Sequence, residues 1–332
     1  MQEQVVYDVP ETVPDGTVLR ILPKTTDESF YWERVDRNIG WVTTEEQRAI
    51  RGLTIGIAGV GGMGGLLAQV MLRLGVGEIR IADPEIFDRS NINRQLGAMT
   101  QTIGKSKAME TARILRDTVD DTPVVVFPEG INAQTVDAFV DGCDLIFDEV
   151  EVFAISPYVL LHQTARRHGV PLFDGLVIGW GTNLFWYPPD GTPVETMLGF
   201  KGSTPEAVME EVRSLEKKIR RDATGTARDD LCKRILDAFV PNLPAYTADA
   251  TDQQVVLERF RNGQASIFAT VPPFAAAVAG TRAVLYLLAQ HGASTRNTVR
   301  VLPSAPSFLS IDLATLEARV IWRTAIRKQE WW

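Results

Sequence analysis

The chain has 332 residues, 45% of them hydrophobic, and a formal net charge of −8 at pH 7. That length and composition suffice to bury a full core, and the acidic balance argues against nucleic acid as the default partner, although a local basic patch overrides a global charge. Its two cysteines, Cys143 and Cys232, exclude a four-cysteine zinc site and give no disulfide framework. With a polar N-terminus and no run of about 18 apolar residues, they lead us to expect a cytoplasmic protein that does not enter a membrane.

In chain order, residues 1–29 form an N-terminal extension with strands predicted near 5–9 and 17–21. A short buried strand over 53–58 then leads into an amphipathic helix over 62–74, whose Leu66, Leu67, Val70, Met71 and Leu74 recur at helical spacing. A second strand, 78–83, ends in Asp83. A polar segment follows, Phe87 to Gln95, then a helix over 106–118 that carries Lys107 in its first turn. Strands near 123–128, 144–148 and 171–178 alternate with helices. This predicts an α/β fold with a Rossmann-like, doubly wound parallel sheet and a ligand at the strands' C-terminal edge.

Beyond residue 181 the pattern changes. A strand over 182–187 and the turn Pro188-Pro189-Asp190-Gly191 begin an antiparallel extension, completed by strands near 297–302, 306–311 and 317–322. Residues 200–263 are charged and helical, an insertion that either caps the site or lies solvated at the periphery. A hydrophobic helix starts at Pro272-Pro273 and runs to about residue 290. His162, His168 and His291 have no ligand-type spacing and are assigned packing or solvated roles. Trp331 and Trp332 could face a partner or a substrate cleft.

The chemistry is concentrated between residues 59 and 107. Gly59-Val60-Gly61-Gly62-Met63-Gly64-Gly65 joins the first core strand to its helix. Glycine permits the tight turn and lets backbone N–H groups approach an anion at the helix's positive end. Asp83 lies about 20 residues past that turn, where a carboxylate accepts a ribose hydroxyl. A dinucleotide oxidoreductase would need nothing further. Here the segment Ser90-Asn91-Ile92-Asn93-Arg94-Gln95 and Lys107 follow. A lysine opening a helix is disfavoured by the macrodipole unless an anion sits beside it. Arg94 offers a planar fork to phosphate oxygens and Lys107 a point charge.

This pattern resembles the ThiF/MoeB family, bacterial relatives of the ubiquitin-activating enzymes, which adenylate carboxylates with ATP and magnesium. The resemblance covers most of residues 30–200 and resumes near 265–290. It implies a ThiF-type fold and a nucleotide site at Gly59, Gly61, Gly62, Asp83, Ser90, Asn91, Arg94, Gln95 and Lys107. Asp83 would hold the ribose, Asn91 and Arg94 the phosphates, and Lys107 the α-phosphate or the leaving group. Arg34-Val35-Asp36-Arg37-Asn38 resembles the family's Arg-Gln motif, so Arg37 would act in trans across a homodimer. The family's magnesium-binding Asp-x-x-Asp-Asn run becomes Asp148-Glu149-Val150-Glu151-Val152. Glu151 then replaces the metal-binding aspartate, and Asp148 is a competing ligand. The acids there also suit the start of the following helix, without a metal.

The resemblance divides the chain into an extension, 1–29; an adenylation domain, 30–199; a helical insertion, 200–263; and a completion of the same domain with a dimer-interface helix, 264–332. It implies ATP-dependent adenylation of a carboxylate on a peptide or small carrier protein, at its C-terminus or a side chain, giving an acyl adenylate and pyrophosphate. Cys143, before an apolar strand, reads as a small core residue and Cys232 as part of a helix in the insertion, so sulfur transfer and thioester conjugation are not anticipated, while a covalent role for Cys232 stays open. A tRNA-modifying dehydratase of the same family, a non-catalytic nucleotide-binding scaffold and a nicotinamide oxidoreductase remain as alternatives.

Overall fold

The computed structural model describes residues 2–240, 250–290 and 302–329. Two strands, β1 (Gln2–Val6) and β2 (Thr17–Ile21), precede two short helices, α1 (Glu28–Val35) and α2 (Thr44–Arg51). α2 starts with a capping box: the Thr43 hydroxyl accepts the Glu46 N–H, and the Glu46 carboxylate accepts the Thr43 N–H. The wound core follows as β3 (Thr54–Ala58), α3 (Gly64–Leu74), β4 (Glu78–Ala82), α4 (Lys107–Thr118), β5 (Val124–Phe127), α5 (Val136–Val140), β6 (Leu145–Asp148), α6 (Ile155–His168) and β7 (Leu172–Ile178). β8 (Gly181–Tyr187) returns antiparallel to β7, with Ile178 opposite Gly181. Five helices come next: α7 (Val194–Met197), α8 (Pro205–Arg221), α9 (Thr226–Phe239), α10 (Ala250–Arg261) and α11 (Val271–Gln290). β9 (Phe308–Asp312) and β10 (Glu317–Ile321) close the order.

All ten described strands share one sheet in the order β1-β2-β5-β4-β3-β6-β7-β8-β9-β10. The run from β5 to β7 is parallel, and β8, β9 and β10 each pair antiparallel to the strand before. This is the expected wound sheet with its antiparallel extension. At the other edge the two early strands run parallel to each other, and β2 pairs antiparallel to β5. The first lies at 2–6 rather than 5–9, ahead of Pro10. Residues 297–301 of one expected strand, His291, Trp331 and Trp332 lie outside the described residues, and Leu302 is not in a strand.

Both faces of the parallel strands are buried, so they read as nearly unbroken apolar runs. Ile55, Ile57, Ile79, Ile81, Val124 and Val126 pack with α3, α4 and α11 residues such as Leu67, Ala112 and Ala279. Val125, Phe127, Ile146 and Leu172 join the opposite cluster with α5 and α6 residues such as Phe139 and Val159. The insertion belongs to this second cluster. α8 contributes Val208, Met209 and Val212, while α9 contributes Leu231, Ile235 and Phe239 against Phe185 and Phe308. Its charged residues form the outer faces of helices whose inner faces complete a core. Among the described residues, α11 is long and apolar enough to cross a membrane, but Ala275, Ala276, Ala279 and Ala283 pack it closely under the sheet.

Candidate functional site

A cavity of about 290 Å3 opens at the C-terminal ends of β4, β3, β6 and β7. Its geometry starts from the glycine turn after β3. Gly59 has φ +93°, and its N–H donates to Ala82 O at 2.7 Å. A Cβ on Gly59 would lie 2.2 Å from Glu149 O, and one on Gly64 would lie 1.8 Å from Gly59 O. Both close approaches require glycine. A Cβ on Gly61 would meet the Gln95 side chain at 3.6 Å, and one on Gly62 would meet Pro272 and Arg94 at 3.5 and 3.6 Å, ordinary contact distances.

Asp83 sits immediately past β4 and is buried. Its Oδ2 accepts the Val60 N–H and its Oδ1 accepts the Glu85 N–H, each at 2.8 Å. One lone pair on each oxygen remains for a ligand hydroxyl. Burial raises its pKa, and the Lys107 charge and the two backbone bonds oppose that rise. Lys107 is the first residue of α4. Its N–H donates to Glu85 O at 2.9 Å, and its buried ammonium pairs with the Glu85 carboxylate. A cation at a helix's positive end is thus held by one exposed acid in the wall of the cavity.

Arg94 also reaches the cavity, with Nη1 donating to Ser90 O at 3.0 Å and to Asn93 Oδ1 at 2.8 Å. Gln95 is buried there with Oε1 unpartnered. Ser90 and Asn91 are placed differently. The Ser90 hydroxyl donates to Asp88 Oδ1 at 2.6 Å, and Asn91 Oδ1 accepts the Asp88 N–H at 3.1 Å. These bonds form a cap that shapes the turn presenting Arg94, and neither residue lines the cavity. Arg37 is fully exposed, 3.8 Å from Asp36, and does not line its own chain's cavity.

The acids after β6 divide into two kinds. Asp148 lies at the cavity's inner wall but is fully buried, with Oδ2 2.8 Å from His162 Nε2 and Oδ1 accepting the Val150 N–H at 3.0 Å. Burial lowers the His162 pKa to about 4, so the imidazole is neutral near pH 7, and it raises that of Asp148. Asp148 is therefore committed to holding the loop. Glu151 stands at the cavity mouth. Desolvation of its carboxyl against the wall raises its pKa; a bond from Phe153 N–H and the charges of Lys107 and Arg94 lower it. Glu151 can serve as the protein carboxylate of a magnesium completed by waters and phosphate oxygens, and Asp148, fully buried beside His162, is the less accessible of the two. Among the described residues no group of three or more His, Cys, Asp and Glu could enclose a metal by itself.

Several cavity groups escape a motif reading. Asp174, in β7, pairs in register with Asp148 and accepts the Tyr158 hydroxyl at 2.6 Å. Burial, then the Asp148 charge, pushes its pKa up to about 7. Glu149 has a buried Oε1 without a hydrogen-bond partner, and desolvation holds its carboxyl well above the usual range. A lone acid inside the apolar run Leu172–Ile178 was the available signal for Asp174. No sequence signal indicated that Ile235, Phe239 and Phe260 of the insertion also line this cavity.

A wound sheet with a glycine turn, a buried acid just past the second core strand and a cation at the next helix start defines an α/β protein of the Rossmann-like class. More narrowly, the chain belongs to the ThiF family, whose model matches residues 35–321. It is 35% identical over 141 residues to the uncharacterized protein MT1398 of Mycobacterium tuberculosis, spanning 42% of this chain and 19% of that protein. To the SAMP-activating enzyme E1 of Haloferax volcanii it is 27% identical over 150 residues, 45% of this chain and 55% of the relative. The chain thus spans about half or less of the length of these two relatives. Among solved structures it is similar in fold to PaaA, with a TM-score of 0.57 and 15% identity over 90% of this chain and 85% of the other. It is also similar to E. coli MccB solved with ATP, with a TM-score of 0.56 and 14% identity over 92% and 73%. ThiF-family enzymes are ATP-dependent adenylyltransferases.

Proposed function

We propose that this protein adenylates a carboxylate of a peptide or small carrier protein, at its C-terminus or a side chain, converting ATP to an acyl adenylate and pyrophosphate. The observation that carries this reading is the convergence of Lys107, Arg94 and Glu151 on the cavity that begins at the glycine turn. A hydride-transfer site seldom needs two cations and an acid at the phosphate end beyond its glycine turn. Among the proteins it is similar to, one is a SAMP-activating enzyme and MccB was solved with ATP.

In this reading the N–H groups of the turn and the start of α3 receive phosphate oxygens, and Asp83 holds the ribose. The substrate carboxylate, already ionised at neutral pH, attacks the α-phosphorus. The α-phosphorus to bridging-oxygen bond breaks, and pyrophosphate leaves with the electron pair. No general base is required. Arg94 and Lys107 neutralise charge that develops on the phosphates, as in other phosphoryl-transfer sites. Glu151 would hold magnesium, which supplies further charge neutralisation on the phosphate oxygens. Arg37, fully exposed on its own subunit, acts in a partner's cavity across a homodimer.

Calorimetric titration with ATP, with and without magnesium and alongside reduced nicotinamide dinucleotide, tests the reading. Magnesium-dependent ATP binding that weakens in Arg37→Ala and Arg94→Ala is expected. Preference for the dinucleotide, or no ATP binding, would overturn it.

A further inference from the structure

The cavity extends along the sheet past the phosphate machinery. Gly59, Asp83, Arg94 and Lys107 belong to the β3 and β4 side, whereas the β7 side is walled by Phe153, Leu176, Ile178, Ile235, Phe239 and Phe260. Strand order places these ends two strands apart, with β6 and its acids between them. Three elements distant in sequence build the second end: the loop after β6, β7, and the α9–α10 pair of the insertion.

That end is built as a fixed pocket. The Phe153 and Phe260 rings are 4.8 Å apart and tilted by 56°, and Phe239 sits edge-on to Tyr158 with centroids 6.0 Å apart. Arg261, next to Phe260, makes a two-pronged ion pair with Asp229 of α9, at 2.9 and 2.6 Å. This fork anchors the end of α10 on α9 and fixes where Phe260 points. Phe153, Phe260, Leu176 and Ile178 are only partly buried against the core. They therefore keep apolar surface for a ligand, while Ile235 and Phe239 behind them are fully buried. The cationic lining residues, Arg94 and Lys107, are at the other end, so an acidic side chain entering here meets no counter-charge.

Building on the adenylation reading, we propose that the α9–α10 insertion forms an acyl subsite selecting a substrate whose reacting carboxylate belongs to a residue with a large apolar side chain. The carboxylate then lies at the junction, near the α-phosphate, with the aromatic or branched aliphatic side chain between Phe153, Ile178 and Phe260. A substrate ending in glycine leaves this space unfilled. Removing even one methylene from a hydrophobic subsite lowers kcat/KM about 10-fold to 200-fold.

The test is ATP–pyrophosphate exchange by the full-length protein with the tripeptides Gly-Gly-Phe, Gly-Gly-Leu, Gly-Gly-Gly, Gly-Gly-Asp and Gly-Gly-Lys, with ATP binding measured separately by calorimetry. The expected result is kcat/KM at least about tenfold higher for the Phe or Leu peptide than for the Gly, Asp and Lys peptides. Phe260→Ala should compress the Phe-to-Gly ratio to near unity while ATP affinity holds. Ile178→Phe, which fills the subsite without opening a cavity, should reverse the ratio. Preference for Gly-Gly-Lys would mean that Glu149 and Asp174 select a cation instead, and would overturn the proposal. So would equal rates across the panel, or ATP binding without exchange for any peptide. Absence of ATP binding would instead bring down the adenylation reading on which the subsite rests.

Discussion

The two ends of the cavity are made in different ways. Most of the phosphate end comes from one stretch of chain, residues 59–107, with Glu151 added from the loop after β6, and its frame is backbone: positive-φ glycine, a helix start and N–H groups donated to Asp83. The other end comes from side chains drawn from residues 153–178 and 235–260, held in place by core packing. A backbone-built site tolerates little change in its own atoms and dictates one kind of ligand. A site built from apolar side chains on an inserted helix pair can be resized without altering the sheet. The common chemistry would then reside at one end and the choice of substrate at the other.

The sharpest way to break the phosphate end is Gly64→Ala. The new Cβ would sit 1.8 Å from Gly59 O, so the turn must open. A loss of about 3 kcal/mol is expected, together with loss of ATP binding, read by denaturant unfolding and calorimetry. Gly62→Ala is the internal control, because its Cβ would meet Pro272 and Arg94 at 3.5 and 3.6 Å, ordinary contact distances. It should fold normally and affect only the approach of the anion. Equal destabilisation by both substitutions would show that close approach at Gly64 does not set the turn.

Next in size is Arg94→Ala. Removing one charge-assisted donor should lower pyrophosphate exchange on the order of 10²-fold, with the thermal midpoint unchanged, because among the described residues the guanidinium bonds to Ser90 O and Asn93 Oδ1 in its own loop. Full activity in this variant would sink the assignment of the phosphate end.

This contrast also explains what could be read before the fold was known. The glycine turn, Asp83 and Lys107 are local in sequence, and each carries its own physical reason, so their convergence on one cavity was legible. The wound parallel sheet with its antiparallel extension followed from alternating strands and helices, and the helical character of the segment holding α8, Pro205–Arg221, was legible without its packing. The roles of Ser90 and Asn91 were less legible. A motif counts residues, but their side chains are consumed by the cap that Asp88 makes. Asp148 was similarly opaque, since its partner His162 lies a full helix away and spacing alone gave that histidine no role. The insertion's contribution was invisible, because α9 packs by tertiary contacts with Phe185 and Phe308 from β8 and β9. No local pattern encodes those contacts.

A smaller effect probes the junction between the ends. Asp174 is raised from its ordinary value to about 7 by burial, so the folded protein binds a proton there that the unfolded chain releases near pH 4. Stability from this group is complete below about pH 4 and is lost as pH rises through 7. Asp174→Asn removes that dependence while keeping an acceptor for the Tyr158 hydroxyl. The thermal midpoint of the variant relative to the parent should therefore climb between pH 4 and 7, by about 2 °C or more. His162, lowered to about 4, acts oppositely, with stability lost as pH falls from 6.5 toward 4; because the Asp174 charge raises the His162 pKa, removing that charge adds a smaller climb to the difference over the same range. A flat difference would place Asp174 in a more polar setting than its burial indicates.

The smallest expected effect concerns Cys232. The residue is fully buried on α9, its Sγ 3.6 Å from Phe260 O, and burial pushes its thiol pKa up to about 11. At neutral pH the fraction present as thiolate is then about 10⁻⁴, and it is the thiolate that would attack an acyl adenylate. A serine at this position retains a donor for the Phe260 carbonyl and is close in volume, so Cys232→Ser should leave exchange within about twofold of the parent and the fold intact. The discriminating measurement follows the acyl group rather than the nucleotide, by mass spectrometry of the product alongside AMP release. If Cys232→Ser still forms AMP but no longer yields the parent's final product, the insertion must open to expose a working thiol, and a covalent step returns. If product and AMP both persist, the adenylate passes directly to its acceptor, and the insertion's part in the reaction is confined to the apolar wall that it contributes.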